Sequence, residues 1–314
     1  MKYQTHLTNS LIMVQPIDFG YNEQTGEDNE FQNRPSSHQI TSVREQANKE
    51  FEQSVEILTS AGIDLLVLGK SHTDKTLPDA VFPNNWFSTQ SNGNLIIYPM
   101  KTQNRQDEVQ VSQLITLANK NNYQVKETID LRQSFDEKKP LEGTGSLIFH
   151  HPSNRLFAAI SERCVESSLE NFANQFGYEL FKFETTSQQG SPIYHTNVLM
   201  SCGEDFAVIT KDIISLSQQE YILNGLSDCV NEILIINEQQ MTENFCGNIL
   251  QLKDNDNQPI IVLSSSAYKG FTPRQIKQLE QQGSLIILPI PTIEKVGGGS
   301  ARCMLGENFL PKNC

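Results

Sequence analysis

The segment that decides the fold begins at Ser146-Leu147-Ile148-Phe149, crosses Pro152-Ser153-Asn154, and continues through Leu156-Phe157-Ala158-Ala159-Ile160. Two short apolar runs flanking a Pro-Ser-Asn turn predict a hairpin. A stretch of helical length follows from Val165 to Phe176, and Tyr178 to Phe183 is again strand-like. The order is strand, strand, helix, strand.

The same order recurs on both sides. Upstream it runs through Trp86 to Thr89, the Asn92-Gly93 turn, Leu95 to Tyr98, a helix near Glu108 to Lys120, and a strand near Tyr123 to Leu131. Downstream one copy covers His195 to Ser201, Phe206 to Ile209, a helix near Gln218 to Cys229 and Glu232 to Ile236. Another covers Asn248 to Leu252, Ile260 to Leu263, a helix from Pro273 to Gln281 capped by Thr272, and Leu285 to Leu288. The first copy has Leu11 to Val14 and a helix from Thr41 to Ser60, with Val43, Ala47, Phe51, Val55 and Leu58 at three- and four-residue spacing. Gly62 ends that helix before the strand Ile63 to Leu68. A repeated unit that cannot bury its own apolar face implies copies packed around a shared axis. The polar run Tyr21 to Ser37 is expected to be a long surface loop of the kind that serves as a lid.

Composition narrows the function. The chain has 314 residues, 37% hydrophobic and 19% charged, and no apolar run approaches the roughly 20 residues needed to cross a bilayer. Leu11 to Val14 is too short for a signal-peptide core and runs into Pro16, so export is not expected. A net charge of −13, with scattered Lys and Arg, argues against nucleic-acid binding. Six cysteines without a Cys-x-x-Cys pair fit a reducing cytoplasm.

The sharpest chemistry lies in Gly297-Gly298-Gly299-Ser300-Ala301-Arg302-Cys303. Three glycines let another group approach the backbone closely. A thiol beside Arg302 and near free backbone N–H groups would be biased toward the nucleophilic thiolate. His150-His151 lacks a Glu or Cys at ligand spacing, so it is expected to be a turn before Pro152 and not a metal site.

Four motifs in order carry a family resemblance: Phe82-Pro83-Asn84-Asn85-Trp86-Phe87-Ser88-Thr89, Leu141-Glu142-Gly143-Thr144-Gly145, Tyr194-His195-Thr196-Asn197, and the glycine-rich run ending at Cys303. Over nearly its whole length the chain resembles the pentein, or guanidino-group modifying, superfamily. Within it the chain is most similar to the arginine deiminase-related, citrulline-utilisation branch. The resemblance implies an α/β five-bladed propeller of ββαβ modules with pseudo-fivefold symmetry, formed by residues 1–314 as one catalytic domain.

It also implies roles: Cys303 as nucleophile, His195 as acid and base, and Glu142 as a carboxylate at the reacting group. Two aspartates that grip the guanidinium in arginine deiminases fall on Gln90 and Asn197. A guanidinium pairs naturally with carboxylates, whereas a neutral ureido group presents an acceptor oxygen that suits amide N–H groups. These replacements point to citrulline as substrate and to ornithine, carbon dioxide and ammonia as products. Arg105, by its position after a strand, is the first candidate for the substrate α-carboxylate and Arg163 the second. Asn84 and Asn85 are candidates for the pocket wall.

Thiol, imidazole and carboxylate suffice for hydrolysis, so no cofactor or metal is expected. The expected partner is a small amino-acid substrate, and a homodimer is left open. The alternatives are a deiminase or dimethylaminohydrolase acting on arginine or methylarginine, with Asp79 or another acid replacing the lost pair, an amidinotransferase, and a silent binding scaffold.

Overall fold

A computed structural model describes residues 6–70, 73–134 and 139–313. Cys314 lies outside the described residues. Among the described residues, fifteen strands form five three-stranded sheets. In chain order these are β1 (Ser10–Val14), β2 (Asp64–Leu68), β3 (Phe87–Thr89), β4 (Asn94–Ile97), β5 (Glu127–Asp130), β6 (Ile148–His150), β7 (Arg155–Ala159) and β8 (Glu179–Phe183). They continue with β9 (Met200–Cys202), β10 (Phe206–Ile209), β11 (Glu232–Ile235), β12 (Leu250–Lys253), β13 (Pro259–Ser264), β14 (Ser284–Leu288) and β15 (Gly306–Glu307).

Every sheet has one topology. The first strand runs antiparallel to the middle one, and the middle strand runs parallel to the third. A parallel pair needs a crossover, and a helix supplies it in each module. The helix Glu166–Phe176 illustrates the logic: Leu169, Phe172 and Ala173 turn inward, and Gly177 at φ +73 ends the helix in the left-handed conformation that glycine adopts freely.

Two local expectations change. Ser146 to Phe149 and His195 to Ser201 are not continuous strands: tight helical turns, Gly143–Ser146 and Thr196–Leu199, come first and β6 and β9 follow them. The turns Gly143–Ser146 and Thr196–Leu199 are wholly buried, and four residues carry no periodicity to separate a helical turn from a strand.

The first module borrows its missing strand from the other end of the chain. β15 pairs antiparallel with β1, with Leu11 opposite Glu307 and Ile12 opposite Gly306. The N-terminal module is thereby completed by residues that directly follow Cys303. The segment expected as a surface loop, Tyr21 to Ser37, packs inward, with Asn22, Thr25, Asn29 and Phe31 buried.

Candidate active site

Each module's first strand is preceded by a buried turn, and the five turns meet. Asn85, Gly145, Asn197, Asn248 and Cys303 hold corresponding places, two or three residues before β3, β6, β9, β12 and β15 respectively. The packing is close. A Cβ on Gly145 would lie 2.1 Å from Asn85 Nδ2 and 3.0 Å from His195 Nδ1, so only glycine fits between these side chains.

Asn197 and Asn248 turn their amide nitrogens toward Cys303, at 3.4 and 3.3 Å from Sγ. Asn248 Nδ2 also donates to the Asn197 carbonyl at 2.8 Å, which fixes its orientation. Asn85 is fixed differently: Arg105 Nη1 donates to its Oδ1 at 3.1 Å, and since a guanidinium can only donate, the Asn85 NH2 group must face away from it, on the Gly145 side.

His195 Nε2 and Glu142 Oε2 are 2.7 Å apart, and both side chains are buried. The other Glu142 oxygen accepts the Lys101 backbone N–H at 2.9 Å. Burial by itself would raise the Glu142 pKa; the Arg163 guanidinium, the His195 hydrogen bond and Arg105 outweigh it and bring the carboxyl down to about 2. Burial lowers the His195 pKa, with Glu142 opposing. With Nε2 committed to Glu142, Nδ1 is the nitrogen left for proton transfer.

Burial pushes the Cys303 thiol upward, against the Ser300 backbone contact, the two amides and Arg302. The thiolate bias expected from Arg302 therefore does not hold in this closed site. Arg302 is spent elsewhere, donating to the Leu305 carbonyl at 2.8 Å and to Glu307 at 2.9 Å. The glycine-rich run is also explained by packing. Gly298 (φ +63) caps the helix Pro291–Gly297, and its carbonyl accepts Tyr194 Oη at 2.7 Å and Asn29 Nδ2 at 3.3 Å.

Arg163 and Arg105 are both buried beside this centre. Arg105 does not offer the free fork expected for a substrate carboxylate, because Nε goes to Glu108 at 2.9 Å, Nη1 to Asn85 and Nη2 to the Phe82 carbonyl at 2.7 Å. It positions Asn85 instead. Arg163 grips Asp28 and the Thr25 carbonyl of the inward-packed segment, while its Nη1 lies 3.8 Å from Glu142 Oε2. The same segment is tied down by Asp79, whose Oδ2 accepts Asn22 Nδ2 at 2.7 Å and Thr25 Oγ1 at 2.8 Å. This is the lid.

Gln90 does not join the site. It follows the far end of β3 and hydrogen-bonds Asn94 across the hairpin turn, with its Oε1 accepting Asn94 Nδ2 at 3.1 Å. The residue of that module that corresponds to Asn197 is Asn85, so the amide-for-carboxylate argument moves there. Asn248 escaped attention although the repeat points to it, since it precedes β12 as Asn197 precedes β9.

Five buried polar atoms in this region have no hydrogen-bond partner among the described residues: Asn84 Nδ2 and Oδ1, Asn85 Nδ2, Asn197 Oδ1 and Asp79 Oδ1. Buried polar groups are rarely left unpaired, so a ligand or ordered water has bonds to complete here.

The five-module fold and the thiol, imidazole and carboxylate brought together by its turns define a pentein-type enzyme. Residues 15–310 match the model of a hydrolase family described as N,N dimethylarginine dimethylhydrolase, eukaryotic, and the chain belongs to that family. No curated protein sequence matches the chain.

Among solved structures it is similar to ArgZ, an arginine dihydrolase from the ornithine-ammonia cycle in cyanobacteria, with a TM-score of 0.71 and 17% identity over 96% of this chain. The chain spans 41% of that longer protein but 99% of the ArgZ N-terminal domain caught covalently bound to a reaction intermediate, at TM-score 0.69 and 16% identity. A dimethylarginine dimethylaminohydrolase adduct with S-methyl-L-thiocitrulline is similar over 96% of this chain and 100% of its own, at TM-score 0.65 and 12% identity.

Proposed function

We propose that the chain hydrolyses the ureido group of citrulline, yielding ornithine, carbon dioxide and ammonia. The observation that carries this reading is the set of side-chain amides at the centre: Asn197 and Asn248 at the thiol, and Asn85 on the Gly145 and His195 side. A guanidinium has no acceptor to offer these amide N–H groups. A ureido oxygen can accept from them, and its NH2 can donate to Asn197 Oδ1.

Cys303 Sγ attacks the ureido carbon and His195 takes the thiol proton. Asn85 Nδ2 is a preorganised donor for the developing oxyanion. The bond from carbon to the ornithine nitrogen breaks as His195 Nδ1 returns a proton to the departing amine, leaving an S-carbamoyl thioester. His195, held by Glu142, then activates a water that releases carbamate, which decomposes to carbon dioxide and ammonia. The thiol and imidazole both start neutral, so the ion pair forms as substrate is engaged.

A second reading, hydrolysis of arginine or a methylarginine, is favoured by Asp79. This buried carboxylate has one oxygen unpartnered, and burial raises its pKa against Arg105, Thr25, Asn22 and Arg163. The family description and the activities of the similar structures point the same way.

The test is ornithine and ammonia release from citrulline, with arginine, dimethylarginine and agmatine in parallel and Cys303→Ala as control. Ornithine from citrulline but not from the others supports the first reading. Citrulline released from arginine or dimethylarginine overturns it in favour of the second.

A further inference from the structure

The catalytic turns stand at the N-terminal ends of the first strands. At the opposite ends of β3 and β15, beside the start of β1, lies a cleft of about 610 Å³. Its walls include Gln90 and Asn92 from the β3–β4 turn, Asn308 and Phe309 after β15, and Tyr178 and Lys253. That volume falls within the range of small-molecule sites, roughly 300–1,000 Å³.

The charge of its lining is unlike that of the chain. The sequence holds 37 acidic residues against 24 basic ones, yet among the described residues no Asp or Glu lines this cleft, while Lys253, Lys312, His6 and His151 do. Lys312 is partly spent, with Nζ 2.9 Å from Asp64. Lys253 is half-buried, and its ammonium has no hydrogen-bond or ion-pair partner among the described residues. A cation held against a low-dielectric wall without an acid attracts an anion.

Flat surfaces are provided too. Tyr178 is fixed by stacking on Phe172 at 6.0 Å between ring centroids, and Phe309 is met edge-on by His151 at 5.2 Å. The Phe309 segment is rigid, because its N–H donates to Thr89 Oγ1 at 2.8 Å and that hydroxyl donates to the Glu307 carbonyl at 2.8 Å. Amides from Gln90, Asn92 and Asn308 offer polar contacts around these rings.

We propose that this cleft is a second small-molecule site, separate from the catalytic centre, that takes an organic anion built on a flat ring, with the anionic head at Lys253 and the ring against Tyr178 and Phe309. Phosphate and carboxylate heads share this chemistry, and two probes separate them.

The experiment is calorimetric titration of adenosine 5′-monophosphate and of nicotinate into the full chain at low salt, with adenosine and nicotinamide as neutral counterparts. At least one anionic probe should bind saturably with a Kd at or below about 1 mM, and its neutral counterpart at least about tenfold more weakly. Lys253→Glu, and independently Gln90→Glu, which sets a carboxylate into the same wall from a surface turn, should each weaken the anion at least about tenfold while turnover at Cys303 continues. Cys303→Ala should leave that binding unchanged. Absence of saturable binding by both anions overturns the proposal, as does binding indifferent to both charge reversals or lost in Cys303→Ala.

Discussion

His195 Nε2 sits 2.7 Å from Glu142 Oε2, and both groups are out of contact with solvent. The pair decides which imidazole nitrogen can work. Glu142→Gln keeps a hydrogen bond but loses the charge that stabilises an imidazolium. It should lower kcat by about 10²-fold with little change in KM, and His195→Asn should lower it by at least as much. Steady-state kinetics on whichever substrate is turned over checks both.

Cys303 has its pKa raised by burial, so in the free enzyme it should behave as a slow thiol at neutral pH. The rate of its alkylation by iodoacetamide should keep rising with pH past about 9, the usual range for a thiol. Mass spectrometry of the labelled peptide over a pH series tests this. A plateau near neutral pH would contradict a thiol kept protonated by burial. Cys303→Ala should remove both the label and turnover, the latter by at least about 10³-fold.

Asn85 and Asn197 are the positions where a carboxylate would turn the site toward cations. Asn197→Asp should cut kcat/KM for citrulline by about 10²-fold or more, since an unpaired buried charge would then face a neutral group. Arginine should be affected less or gain. Measuring both substrates on the same variant gives the ratio, and an unchanged ratio would remove the amides from the specificity argument.

Glu294 supplies a pH signature of stability. It is buried beside Ser300, whose Oγ donates to its Oε1 at 2.5 Å, and burial pushes its pKa to about 7 from an ordinary 4.5. The folded state therefore binds more protons than the unfolded state between these values. Stability should be highest at the acid side of that window and fall as pH rises through it, by up to the order of 3 kcal/mol for this group alone. Urea unfolding of the parent and of Glu294→Gln at pH 5 and about 7.5 checks the sign, because the variant should lose less stability over that interval than the parent.

Much of the architecture was legible because each module repeats a strand order that leaves its mark in apolar runs and turn residues. Gln218 to Cys229 and Pro273 to Gln281 were placed as helices within a few residues of Leu216–Ser227 and Pro273–Glu280. Cys303, His195 and Glu142 were singled out by the motifs that carry the family resemblance, and the fold brings His195 against Glu142. Gln90 was misplaced because it was aligned on its distance from an aromatic pair, whereas the turn before the strand sets the register. The pairing of Gly306 with Ile12 left no trace in the sequence, since two residues of strand carry no pattern and their partners lie nearly the whole chain away. Arg105 showed its charge in the sequence, but its three protein acceptors come from packing that only the fold brings together.

The β15–β1 pairing has one more consequence. The segment that carries Cys303 is also the seam of the ring, for β15 begins three residues later and docks on the opposite end of the chain. A thiol on that seam takes its final place against the N-terminal module only once the seam has closed. Recovery of activity after dilution from denaturant should therefore lag behind recovery of secondary structure, which makes turnover a clock for the last stage of assembly.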